Sequence, residues 1–84
     1  MWLRVIRMSV EGELRRALEA RNLASVPYLR ALQRGRDPAS LPGYAEWREA
    51  QRQFQSFQRK GGSVVGWSAL SERYVALAAL HGAE

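Results

Sequence analysis

Cysteine is absent, and lysine and histidine occur once each, as Lys60 and His81. Without cysteine there is no disulfide framework, no thiolate metal site and no cysteine nucleophile, and the redox compartment leaves no mark on the chain. Long apolar runs are also missing. No stretch approaches the roughly 20 apolar residues of a membrane span. Arg4 and Arg7 interrupt the N-terminal run from Trp2, which therefore lacks the unbroken apolar core of a secretory signal. The expectation is an intracellular, cytoplasmic protein with no membrane partner.

Catalytic constellations are equally scarce. His81 stands at the end of the last helical pattern, where imidazole suits the negative end of a helix dipole. No G-x-S-x-G elbow accompanies it. Gly61 and Gly62 lack the preceding strand and the Gly-Lys-Ser pattern of a phosphate loop. Glu11 and Glu13 serve a helix start, and Glu46, Glu49 and Glu72 fall on early turns or solvated faces within reach of arginines. A metal site would have to be built from scattered carboxylates and one imidazole. These absences predict a non-enzymatic protein without cofactor or metal.

What the 84 residues do contain is an ordinary globular composition, 46% hydrophobic and 25% charged, in a length that makes one domain over residues 1–84. A chain this short buries only about 60–65% of the surface its unfolded form exposes, so the core must be efficient or be completed by a partner. The net charge is +5, and arginine supplies all but one of the 13 basic side chains. Guanidinium groups suit bidentate contacts to phosphate or carboxylate; an Ala, Arg, Gly and Leu-rich chain also fits the codon supply of a GC-rich genome. The charge is uneven, +4 over residues 1–42 against +1 over residues 43–84.

Trp2 to Val10 fits neither the helical nor the strand period and reads as a short strand or irregular arm. Ser9 caps a first helix whose first turn holds Glu11 and Glu13, and whose Val10, Leu14, Ala17, Leu18 and Arg21 share a face down to Asn22. Ser25, followed by Val26 and Pro27, reads as a second N-terminus, because proline is tolerated in a first turn. Leu29 and Leu32 then point inward and Gly35 stops the helix. Arg36 to Gly43 is loop chemistry with room for one helical turn at Asp37. From Tyr44 to Lys60, Trp47, Ala50, Phe54 and Phe57 recur at helical spacing. Gly61 to Gly66 is a turn, and Ser68 or Ser71 begins a last helix that carries Leu70, Tyr74 and Leu77 and ends at Gly82.

Leu14 to Gly35 resembles the helix-turn-helix of phage-repressor-type DNA-binding domains. The likeness is carried by the turn at Asn22 and Leu23, the Ser25 cap and the segment Tyr28-Leu29-Arg30-Ala31-Leu32-Gln33-Arg34-Gly35-Arg36. It lacks the usual glycine in the turn and has Glu19 where a small residue normally packs. The resemblance implies a second helix that enters the major groove.

The whole reads as an all-α bundle of about four helices. Its expected core is Leu14, Leu18, Leu29, Leu32, Trp47, Phe54, Phe57, Leu70, Tyr74 and Leu77, with Trp2 and Trp67 free to face a partner or a second subunit. The first functional expectation is a basic binding module that contacts nucleic acid, alone or within a nucleoprotein complex. Arg30, Arg34 and Arg36 would do so together with a stripe of Arg48, Arg52 and Arg59 that ends at Lys60, neutralising phosphates without reading bases. The alternative is a protein–protein adaptor or inhibitor that docks on an acidic partner surface, with self-association as a variant.

Overall fold

A computed structural model describes residues 9–82, so the strand or arm expected at the N-terminus falls almost wholly outside the described residues. The described chain is all-α. It consists of α1 (Val10–Gln33), a 3-10 turn (Pro38–Ser40), α2 (Tyr44–Lys60) and α3 (Val64–Leu80). The helices run up, down and up. Tyr28 and Arg21 of α1 meet Trp47 and Phe54 of α2 respectively, so these two helices are antiparallel. Arg16 and Tyr28 of α1 meet Glu72 and His81, so α1 lies parallel to α3.

The expected break at Leu23 and Ala24 does not exist. α1 runs through it as one helix of 24 residues, with Pro27 inside. The reason lies in its small side chains: Ala17, Ala24 and Ala31 recur every seventh residue and are buried, with Tyr28 between the last two. This shallow face lets α1 lie closely along α3, where Ser71 and Ala78 are buried opposite. Tertiary packing outweighs the single ladder bond that Pro27 cannot make. Among the described residues there are therefore three helices rather than four, and the helix-turn-helix resemblance has no counterpart in the structure.

The continuous register also corrects the core. Leu29 and Leu32 are exposed, at 48% and 56%. With no turn to reset the helical phase, they stand away from the face set by Ala24, Tyr28 and Ala31. Leu14, Leu18 and Phe57 pack at the core's edge, while Trp47, Phe54, Leu70, Tyr74 and Leu77 are buried as expected. Trp67 is not a surface residue. It is 1% exposed, and both Phe54 and Phe57 stand edge-on to its ring.

The helix ends follow local chemistry. Ser9 Oγ accepts the Gly12 amide at 2.9 Å at the start of α1. At its end the Arg36 amide donates to Ala31 and the Gly35 amide to Leu32, the paired bonds of a Schellman motif, with Gly35 at φ 72°. Asp37 caps the 3-10 turn through the Ala39 amide at 3.0 Å. The last helix begins earlier than expected: Ser63 is its cap, accepting from the Gly66 amide, and Ser71 is an interior residue whose hydroxyl donates to the Trp67 carbonyl. Val64 and Val65 thus belong to the first turn of α3 rather than to a linker.

Cross-links between helices are polar as well as apolar. The Trp47 indole donates to Ser25 Oγ at 2.9 Å, Tyr74 donates to Gln51, and Arg73 spans to Gln53 and Glu46 on α2. No buried side-chain nitrogen or oxygen among the described residues lacks a partner.

Candidate functional site

The last turn of α1 and the residues after it carry Arg30, Arg34 and Arg36. With Pro27, Ala31, Ser40 and Leu41 they line a pocket of about 220 Å³ between α1 and the 3-10 turn. The Schellman turn positions them. It reverses the chain at Gly35, and the buried Pro38 then seats the 3-10 turn against α1, so Ser40 and Leu41 form the wall facing Arg30 and Arg34. None of the three guanidinium groups is among the ion pairs of the described residues. From Arg21 to Arg36 the chain holds four arginines and no acid. The nearest carboxylate in sequence, Asp37, is occupied in capping the Ala39 amide. A concave, partly apolar pocket with three unpaired cations favours an anion.

The rest of the expected basic surface divides. Arg48, Arg52 and Arg59 do lie along the solvent side of α2, but Arg52 is paired with Glu49 at 2.8 Å. That contact, a hydrogen bond reinforced by charge, holds the Glu49 carboxyl below its ordinary range. Arg48 donates to the Tyr44 hydroxyl at 3.0 Å, with its guanidinium 5.8 Å from the ring centre. Arg59 and Lys60 are exposed in the last turn of α2, where cations face the negative end of the helix dipole. Because α2 begins beside Tyr28 and runs antiparallel to α1, these two stand at the other end of the bundle from Arg34 and Arg36. The structure therefore brings Arg30, Arg34 and Arg36 together and leaves Arg48, Arg52, Arg59 and Lys60 as a separate face.

Two other arginines act in the fold. The Arg21 guanidinium lies 4.4 Å from the Phe54 ring centre, and Arg73 ties α3 to α2 through Glu46 and Gln53. Beyond the Asp37 turn itself, no local signal marks the Ser40 and Leu41 wall, because its position depends on where the Schellman turn sends the chain.

His81 is held rather than free. Its Nε2 lies 3.0 Å from the Pro42 carbonyl and 3.1 Å from the Tyr28 hydroxyl, which itself donates to Pro42 at 2.8 Å. In the Nε2-protonated tautomer the imidazole donates to this pair and ties the end of α3 to the loop before α2. Desolvation raises the Tyr28 pKa above its ordinary value. Among the described residues no group of three acidic or histidine side chains gathers closely enough to hold a metal ion, and no helix is long and apolar enough to cross a membrane. No protein-family model, curated protein or solved structure matches the chain.

Proposed function

We propose that this chain is a small non-enzymatic binding module that holds nucleic acid by its phosphates through Arg30, Arg34 and Arg36. The observation that supports the reading most directly is the convergence of three unpaired guanidinium groups on one pocket, in a half of α1 that has no acid. Planar guanidinium groups bind phosphate oxygens in pairs, and such contacts position a nucleic acid without reading its sequence. Loss of the helix-turn-helix removes the reason to expect a recognition helix in the major groove, so the proposed contact is independent of sequence. Arg48, Arg59 and Lys60 extend it only if a long strand wraps round the bundle.

Replacing Arg30, Arg34 and Arg36 together by Gln tests the reading. Glutamine keeps helix propensity and removes the charge, so the melting temperature should scarcely move. Binding to a mixed-sequence oligonucleotide at low salt should weaken, and the slope of log K against log salt should flatten by up to about three phosphate contacts. Binding and slope identical to the parent, or no binding by the parent at low salt, would refute the proposal. A second reading, docking on an acidic protein surface, draws support from the exposed Leu29 and Leu32 beside these arginines. A contact anchored by apolar side chains would survive salt that releases a phosphate contact.

A further inference from the structure

The solvent face of α1 carries a second pattern, which shares only Arg30 with the phosphate pocket. Glu19, Leu23, Val26 and Arg30 follow spacings of four, three and four, which places them in one stripe along the helix. All four are exposed, Leu23 at 41% and Val26 at 37%. Neither Glu19 nor Arg30 has an ion-pair partner within the chain among the described residues. An outward stripe of helix with two apolar side chains at its centre and opposite unpaired charges at its ends is self-complementary when reversed.

We propose that α1 pairs with α1 of a second copy of this chain in antiparallel register about a two-fold axis between Leu23 and Val26. Glu19 of each copy then meets Arg30 of the other, and Leu23 of each packs on Val26 of the other. This is the isologous arrangement in which one patch serves both sides. The flanks are compatible with it. The same two-fold puts Arg15 of one copy at the height of Arg34 of the other, but at 100° per residue the two lie on opposite sides of the stripe, so they do not face each other and Arg15 stands beside Gln33. Arg34 stands beside the second copy's Arg16, whose charge is already paired with Glu13 and Glu72 within its own chain. A parallel pairing would set Glu19 against Glu19 and Arg30 against Arg30, and is disfavoured.

The pattern makes a charge-reversal experiment decisive. Sedimentation of the parent chain over micromolar to millimolar concentrations at low salt should show a reversible dimer that weakens as salt rises. Glu19→Arg alone and Arg30→Glu alone should each be monomeric, with unchanged far-ultraviolet circular dichroism because both positions are exposed. An equimolar mixture of the two variants should form a heterodimer, since each reversed charge then faces an opposite one; native mass spectrometry would resolve it by mass. The double variant Glu19→Arg/Arg30→Glu should dimerise like the parent. Leu23→Gln/Val26→Gln, which leaves the charges and the Arg34 and Arg36 pocket intact, should be monomeric. A parent that stays monomeric throughout, single variants that still dimerise, or a mixture that stays monomeric overturns the proposal.

Discussion

Pro27→Ala separates a continuous α1 from a helix broken at Leu23 and Ala24 by the sign of its effect. In the structure Pro27 lies well inside a helix running from Val10 to Gln33, so its missing amide leaves the Leu23 carbonyl without its ladder partner. Proline in a helix interior is less favourable than alanine by about 3 kcal/mol. Against this, alanine gives the unfolded chain more freedom, which costs about 0.4–1 kcal/mol. It also removes the half-buried ring, at about 0.8 kcal/mol per buried methylene. The net expectation is a stabilisation of about 1 kcal/mol, which for a domain of this size raises the melting temperature by about 4–8 °C. If Pro27 instead opened a second helix, its fixed φ and absent donor would suit the first turn, and alanine would be neutral or destabilising. Thermal and urea unfolding followed by circular dichroism measure the difference. A melting temperature unchanged or lowered would refute the single-helix argument and return the break to Leu23 and Ala24.

Other perturbations test the core and its joints. Phe54, 1% exposed between Trp67, Tyr74 and the Arg21 guanidinium, should cost about 3–5 kcal/mol on replacement by alanine, a large share of the total stability of so small a domain; a urea midpoint shifted by less than a quarter of the parent value would show that the residue is not core. Gly43→Ala should destabilise by about 2–3 kcal/mol, because the backbone is left-handed at φ 81° and a Cβ would stand 2.9 Å from side-chain atoms of Leu77, Leu80 and Tyr28; an unchanged melting temperature would contradict that packing. Alkaline pH should destabilise the protein. Burial pushes the Tyr74 hydroxyl up to about 12, against a downward pull from Arg21 and Arg73, so the unfolded state loses this proton first as pH rises past 10. Its contribution is complete below about pH 10 and is lost between there and about 12. Stability by urea titration should fall over that window, less so in Tyr74→Phe, and an identical fall in both would assign the effect elsewhere.

The uneven legibility of this chain has a physical cause. α2 was readable to its ends because its signal is local: large aromatic residues at helical spacing between Gly43 and Gly61, each of which takes positive φ. The caps at Ser9 and Asp37 and the stop at Gly35 were readable for the same reason, since a cap depends on residues no more than a few positions away. α1 is harder to read because its buried face is largely alanine, with Tyr28 its one large apolar residue, and alanine carries little hydrophobic signal. Ala17, Ala24 and Ala31 matter through the close approach they allow to α3, and that value exists only once α3 is in place. Pro27 and the Ser25-Val26 pair, which do carry strong local signals, pointed to a break that packing overrides. A break at Leu23 and Ala24 would reset the helical phase, which turns Leu29 and Leu32 inward, makes a recognition helix of the second half, and divides the outward stripe from Glu19 to Arg30, whose four residues share a face only if no break lies between them. The grouping of Arg30, Arg34 and Arg36 does not depend on that break, because these residues lie beyond it and next to the local stop at Gly35. The self-complementary stripe exists only on an unbroken α1, which makes Pro27→Ala relevant to it as well: a continuous α1 is the condition on which the pairing of Glu19 with Arg30 rests.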